Sequence, residues 1–160
     1  MKKLLLIVFS IAILASCDDD ETVRLTYEEQ LKVDIEKIEN YLDQKELTAD
    51  STGSGLFYII DEEGTGSRPT LDSLVSVQYV GKFLETEEIF DSGTTEDYPL
   101  SGFIYGWQEG IALLKEGGSG TLYIPSGLGY GAIDYYTIPG NSILIYEVEL
   151  IDVKSNEAVK

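Results

Sequence analysis

From Leu56 onward, apolar residues follow the two-residue period of β-strands, and this pattern limits the possible folds more than any other feature. In the clearest case, segment 144–150, every second residue from Leu144 is apolar, and Glu147 and Glu149 lie between the last three of them. This alternation places Tyr146 on the inward face of a strand. Similar but shorter runs lie at 56–60, 75–79, 89–90 and 121–124. Strands of this kind favour an antiparallel sheet with one buried face.

One segment of helical period interrupts the strands. Trp107, Ile111 and Leu114 share a helical face, and Gly117-Gly118 is typical of a helix end. A turn is predicted earlier, at 63–66, between two of the strand segments. The sequence therefore predicts an α+β fold in which an antiparallel sheet packs around one short α-helix.

An amphipathic helix is predicted before the sheet, over residues 27–44. Thr26 and Glu29 have the spacing of a capping box at its start. The apolar residues that follow at helical spacing are Leu31, Ile35, Ile38 and Leu42. This stripe could pack on the domain behind it or on a second copy of the chain, and we favour packing within the chain. The following segment, 50–55 (DSTGSG), is typical of a flexible joint.

The first 16 residues have the layout of a secretory signal. Two lysines precede an apolar run, 4–14, that is too short to favour a transmembrane helix. The LASC string ending at Cys17 resembles the lipobox of bacterial lipoproteins, which implies cleavage before Cys17 and lipid on its thiol. The alternative is an ordinary cleaved signal followed by an incidental cysteine. Because the chain has one cysteine, an internal disulfide is excluded.

An acidic run, 18–21 (DDDE), follows the lipid site. We interpret residues 17–25 as a solvated tether, with a calcium site as the weaker alternative. Tether and helix would form a stalk, the helix alone being about 27 Å long. Residues 26–50 are then helix and linker, 51–155 the folded domain and 156–160 a tail. We expect a lipid-anchored protein of the cell envelope, with the outer membrane, on its periplasmic or surface face, favoured over the inner membrane. Acidic runs at this place resemble surface-export signals of Bacteroidota-like lipoproteins, whereas an Asp here resembles the inner-membrane retention signal of enteric lipoproteins, and the sequence alone does not choose between the two.

The residue types present exclude several kinds of chemistry. The chain contains no histidine, and Cys17 is assigned to lipid, so Ser-His-Asp and Cys-His nucleophiles and His/Cys metal clusters are excluded. We therefore expect neither a metal nor a cofactor. The net charge of −18 argues against nucleic-acid binding. Carboxylates remain for acid–base chemistry, but most fall on predicted surface positions, where solvated charge is ordinary.

Aromatic residues are spread over the predicted strands, the short helix and the loop between them, within a set of local strings. These are VQYVG (77–81), IFDSG (89–93), YPLSGFIYGWQEGI (98–111), IPSGLGYG (124–131) and IPGNSILIYEVELIDV (138–153). Over residues 54–153 the chain resembles the FKBP-type peptidyl-prolyl cis-trans isomerases. The resemblance implies a strongly curved sheet wrapped round the short helix. It also implies a pocket between them that isomerises X-Pro bonds in unfolded or exported polypeptides.

The resemblance also implies which residues form that pocket. The implied catalytic residues are Tyr79, Phe90, Asp91, Ile104, Trp107 and Tyr130, and the implied substrate-binding residues are Phe103, Ile138 and Tyr146. Trp107 would be the floor beneath the proline ring, while the Ile104 N–H and the Tyr130 hydroxyl would hold peptide carbonyls. Asp91 would supply the one polar group near the twisting bond. The alternative for Asp91 is a turn-capping carboxylate.

Three departures from the family pattern lie close to this pocket. Gly140 stands where the family usually has a second proline after Ile-Pro. Segment 133–137 is unlike the usual Gly-rich loop, so Tyr135 and Tyr136 would extend the aromatic wall or partly cover the pocket. Residues 94–96 occupy a predicted turn in which other members often place an arginine opposite Asp91. The alternative function is therefore a catalytically weak peptide-binding module or chaperone on the same fold.

Overall fold

The computed structural model describes residues 25–155, so the signal segment, Cys17, the acidic run and the last five residues lie outside it. The helices are α1 (Tyr27–Gln44) and α2 (Tyr105–Ile111). The strands are β1 (Asp50–Ser51), β2 (Phe57–Glu62), β3 (Ser73–Phe83), β4 (Ile89–Pro99), β5 (Ser119–Ile124) and β6 (Leu144–Ser155). Short 3-10 turns lie at Leu100–Gly102 and Ser126–Leu128. Within the described range, no helix is long and apolar enough to cross a membrane.

All strands join one antiparallel sheet in the order β1-β2-β5-β6-β3-β4. Irregular pairing between Ser76 and Val77 interrupts the contact of β3 with β6, and a second irregularity follows Gly81 in its contact with β4. Such bulges increase local twist and bend the strands. The predicted α+β fold, a curved antiparallel sheet around a short helix, is confirmed.

The main core lies between the concave face of the sheet and α2. Val75 and Val77 of β3 and Leu150 of β6 are fully buried there, together with Ile111 of α2. The alternating residues predicted at 144–150, from Leu144 to Leu150, are buried in this core, while Glu147 and Glu149 are exposed. The inward position predicted for Tyr146 is confirmed, because this side chain is only 4% exposed.

The predicted end of α2 is wrong, because the helix ends at Ile111 and not at Gly117-Gly118. Leu114 lies in the following turn but is still buried. Two contacts from outside the segment stabilise the earlier end. Arg68 Nη1 donates to the two carbonyls that follow the helix, Ala112 O at 3.1 Å and Leu113 O at 2.6 Å. The Lys115 N–H donates to Glu63 O at 2.9 Å.

Helix α1 covers the convex face of the sheet. Its bounds are those predicted, and the capping box is formed by the Thr26 N–H donating to Glu29 at 2.9 Å and the Glu29 N–H donating to Thr26 at 3.3 Å. Ile38 and Leu42 are buried in a second cluster, with Leu84, Tyr123, Ile143 and Ile145. The favoured packing of the stripe within the chain is confirmed. The interpretation of α1 as part of a projecting stalk is wrong, since the helix belongs to the folded domain.

The DSTGSG segment is an ordered connection and not a flexible joint. Asp50 and Ser51 pair with Tyr58 and Phe57 as β1. The turn that follows is closed by the Thr52 N–H donating to Leu56 O at 2.9 Å. Its Ser54 hydroxyl also donates to Glu109 of α2 at 2.6 Å, a contact that composition alone does not reveal.

Candidate functional site

A cavity of about 380 Å³ opens between the concave face of the sheet, the start of α2 and the loop after β5. Ten residues line it: Tyr79, Asp91, Thr95, Gly102, Phe103, Ile104, Trp107, Tyr130, Tyr135 and Tyr146. Seven of them are among the nine pocket residues named from the sequence. The cavity is mostly aromatic, as sites that hold apolar groups usually are.

Trp107 forms the buried floor of the cavity, with 3% of its surface exposed. Tyr146 and Tyr79 meet its ring edge-on, at centroid distances of 5.1 and 5.2 Å, and Phe103 lies beside it at 4.8 Å. These are favourable aromatic geometries that hold all four rings in place. The indole N–H has no hydrogen-bond partner in the described part of the chain. The floor is therefore an aromatic surface, packed against three other rings, that is suited to a small apolar ring.

Phe90 and Ile138 support the cavity from behind and are not among its lining residues. Phe90 contacts Tyr146 edge-on at 5.7 Å, while Ile138 is 6% exposed in the main core. The contact between the Phe90 and Tyr146 rings requires a glycine at position 81. A Cβ at Gly81 would lie 2.8 Å from both the Phe90 and Tyr146 rings, which is too close for either.

Asp91 lies within β4 and accepts a hydrogen bond from the Tyr79 hydroxyl at 2.9 Å. The structure gives it this role and not that of a turn cap. Burial, followed by the bond to Asp91, raises the pKa of Tyr79 to about 12. Burial, followed by the neighbouring Tyr130, raises the pKa of Tyr146 far above its ordinary value. At neutral pH both hydroxyls are protonated and can donate.

Residues 94–96 continue β4, so the turn predicted there does not exist. Thr95 instead lines the cavity, and its hydroxyl oxygen accepts the Val77 N–H at 3.2 Å. No lysine or arginine is among the lining residues. Asp91 is thus the one charged side chain that lines the cavity.

Ile104 is the residue immediately before α2 and has extended backbone angles, φ −59° and ψ 152°. Its carbonyl accepts the Trp107 N–H at 2.9 Å, but its own N–H donates to no other described residue. Because Ile104 lines the cavity, this N–H is a donor available to a bound ligand.

The loop after β5 adds Tyr130 and Tyr135 to the cavity wall. Their rings stack at 4.6 Å with an interplanar angle of 12°. Tyr135 therefore extends the wall, while Tyr136 is 91% exposed. Reciprocal hydrogen bonds between Tyr135 and Ile138, at 2.8 and 2.9 Å, hold the loop.

Gly140 completes this loop through its N–H, which donates to Asp134 at 2.8 Å. A proline at position 140 would have no N–H for this bond. The departure at 140 and the changed segment 133–137 are therefore parts of one arrangement.

Sequence reasoning missed Thr95 as a lining residue and a buried carboxylate on α1. Asp34 is fully buried, although it interrupts the apolar stripe between Leu31 and Ile38. Its position on that face was the signal that could have identified it, because a charged residue at a core position needs partners.

Comparison with known proteins places this geometry among described families. The family model described as FKBP-type peptidyl-prolyl cis-trans isomerase matches residues 66–151. A probable FKBP-type isomerase, FkpA, of Neisseria meningitidis serogroup B is 43% identical over 114 residues, covering 67% of this chain and 41% of the relative. FkpA of Escherichia coli K12 is 40% identical over 114 residues, covering 69% of this chain and 42% of the relative. The chain thus spans about two fifths of the length of these curated relatives.

Solved structures give the same result. The crystal structure of FkpA from Escherichia coli superposes with a TM-score of 0.69 and 30% identity, covering 81% of this chain and 65% of that one. A peptidyl-prolyl cis-trans isomerase from Pseudomonas syringae pv. tomato has a TM-score of 0.66 and 26% identity, covering 82% and 98%.

Proposed function

Because the chain belongs to the FKBP-type peptidyl-prolyl cis-trans isomerase family, we propose that it accelerates rotation about X-Pro bonds of polypeptides bound in the aromatic cavity. The observation that carries the proposal is the cavity itself, in which rings surround the buried face of Trp107 and one carboxylate is bonded to Tyr79. The reaction requires no nucleophile, because rotation about the X-Pro bond breaks no covalent bond.

The physical task is to weaken amide resonance, since rotation about a peptide bond has a barrier of roughly 18–20 kcal/mol. Uncatalysed X-Pro exchange takes about 10–100 s, so about 100 turnovers per second would need the barrier lowered by roughly 5 kcal/mol. Water stabilises the planar, charge-separated amide. Moving the bond from water onto the Trp107 floor favours the twisted form, and hydrogen bonds to its carbonyls can add to the effect.

We assign each lining group one part of this task. Trp107 holds the proline ring, with Tyr79, Phe103 and Tyr146 as walls and with Phe90 and Ile138 as their support. The Ile104 N–H and the Tyr130 hydroxyl donate to peptide carbonyls. Asp91, oriented by Tyr79, is the polar group beside the twisting bond. These groups bind and orient the substrate and do not react with it.

The direct test is exchange spectroscopy on an Xaa-Pro peptide with wild-type protein, Trp107→Ala and Tyr130→Phe. Tyr105→Phe is the control, because Tyr105 lies on α2 but is 68% exposed and does not line the cavity. We expect wild type and the control to accelerate exchange, Tyr130→Phe to be slower, and Trp107→Ala to lose nearly all acceleration. Unchanged activity of Trp107→Ala would overturn the site assignment.

A second candidate is a peptide-binding module or chaperone with weak catalysis. It is favoured by exposed apolar side chains in the loop after β5, where Ile133 is 78% and Tyr136 91% exposed. Peptide binding by a wild-type protein that does not accelerate exchange would support this candidate over the first.

We further propose that lipid on Cys17 holds the protein on a membrane of the cell envelope, with the outer membrane favoured. The support is the LASC string after an apolar segment. Proline-containing exported polypeptides would then be its substrates. Cys17→Ser is expected to move the protein from the membrane pellet to the soluble fraction, and an unchanged distribution would refute the anchor.

A further inference from the structure

A buried carboxylate joins helix α1 to the loop that carries Tyr130. Asp34 is 0% exposed, and its Oδ2 accepts both the Ser126 N–H at 2.8 Å and the Ser126 hydroxyl at 2.6 Å. Its Oδ1 accepts Nε2 of Gln30 at 2.7 Å. No lysine or arginine of the described chain forms an ion pair with it. These three donors therefore compensate the cost of burying the charge.

Ser126 begins the 3-10 turn that leads to the cavity. Its carbonyl accepts the N–H of Gly129 at 3.0 Å and that of Gly131 at 2.8 Å. The Gly131 carbonyl in turn accepts the Asn141 N–H at 2.8 Å, which ties the two ends of the loop together. Tyr130 lies between Gly129 and Gly131, so the location of Ser126 fixes the backbone from which the Tyr130 ring reaches the cavity.

Helix α1 contacts the same turn a second time, through Tyr27. The Tyr27 ring lies against Gly127 so closely that a Cβ at position 127 would collide with it. The contact lies at the first residue of α1, two turns before Asp34. Two independent contacts from one helix therefore hold one short turn.

We propose that Asp34 is a positioning residue of the isomerase site, which acts through Ser126 to hold Tyr130 in the cavity wall. The inference rests on the proposed function. Without the carboxylate, the two Ser126 donors are buried with no acceptor, and the turn regains hydrogen bonds only by moving toward water. Because Tyr130 stacks on Tyr135, both rings move when the turn moves.

The test compares Asp34→Ala, Asp34→Asn and the control Asp43→Ala, which removes an exposed carboxylate from the same helix. An asparagine oxygen can still accept both Ser126 bonds, while its amide donates to the Gln30 oxygen after that side chain rotates. We expect Asp34→Ala to lower kcat/KM about tenfold, which is the effect of losing the one hydrogen bond from the Tyr130 hydroxyl to a peptide carbonyl. Asp34→Asn should restore most activity, and Asp43→Ala should leave it unchanged.

A double-mutant cycle separates positioning from a general effect on the fold. If Asp34 acts through Tyr130, Asp34→Ala costs far less in a Tyr130→Phe background than in wild type. All variants are assayed at temperatures well below their unfolding transitions. Ser126→Ala is a milder variant, because it removes the hydroxyl donor to Asp34 and keeps the Ser126 N–H donor. An equal loss in both backgrounds, or full activity of folded Asp34→Ala, overturns the proposal.

Hydrogen exchange of the Gly131 amide provides a readout that does not require activity. We expect this amide to exchange faster in Asp34→Ala than in Asp34→Asn or Asp43→Ala, and equal exchange in all three would overturn the proposal. An inactive wild-type protein would refute the proposed function instead, and amide exchange would still decide whether Asp34 holds the turn.

Discussion

Replacing Ile38 with alanine should destabilise the domain strongly, because this residue carries the contact of α1 with the convex face of the sheet. Ile38 is 0% exposed in the cluster formed with β5 and β6 residues such as Tyr123 and Ile145. The substitution removes three carbons, worth about 0.8 kcal/mol each, and leaves a cavity that adds to the cost. We expect the free energy of unfolding to fall by about 3 kcal/mol and Tm to fall by about 10 °C.

The measurement is urea unfolding followed by fluorescence of Trp107, the only tryptophan in the chain. Val33→Ala is the matched control, since Val33 lies on α1 but is 36% exposed. We expect the control to change stability by less than about 0.5 kcal/mol. A loss for Ile38→Ala no larger than for Val33→Ala would refute the docked helix. If the loss of stability disappears when the protein is diluted, the apolar stripe of α1 packs between two copies of the chain.

Three further predictions concern the cavity. Tyr79→Phe removes the hydrogen bond to Asp91 and should lower kcat/KM about three- to tenfold, whereas Tyr105→Phe should not; equal values would deny the bond a role. Because folding raises the pKa of Tyr79 from its ordinary 10 to about 12, ionisation favours the unfolded state above pH 10. Stability should therefore be lost as pH rises from about 10 to 12. Tyr146→Phe should make the loss shallower, because burial also raises the pKa of the Tyr146 hydroxyl that it removes. A flat profile of stability against pH in alkaline unfolding experiments would contradict this. Tyr135→Ala should raise KM about three- to tenfold with little change in kcat, because the ring widens the binding wall; a fall in kcat alone would be inconsistent with that role.

Local sequence patterns were sufficient to predict the bounds of α1 and the buried face of β6, because both depend on residues within the element itself. The bounds of α1 follow from a capping box and an apolar stripe within the helix itself. The inward position of Tyr146 follows from strand alternation, because one face of β6 contacts the core while its glutamates remain exposed. Alternation alone did not reveal that Ile145, on the opposite face, is covered by α1.

The features that were mispredicted depend on contacts between distant residues. Helix α2 ends early because residues over forty positions away bind the backbone that follows Ile111. Arg68 donates to the Ala112 and Leu113 carbonyls, and the Glu63 carbonyl accepts the Lys115 N–H. The partner of Asp34 lies 92 positions along the chain, so no local pattern signals the bond. Ser54 is ordered by Glu109 in the same way.

The central claim, that X-Pro segments bind on the floor of the cavity, is tested most directly by nuclear Overhauser contacts between protein and peptide. A peptide with one proline is added to the wild-type protein, in which the single indole gives an unambiguous signal. We predict contacts from the proline ring protons to the Trp107 indole, and their loss when alanine replaces the proline. Accelerated exchange of the peptide with proline contacts only to other parts of the surface would contradict the account.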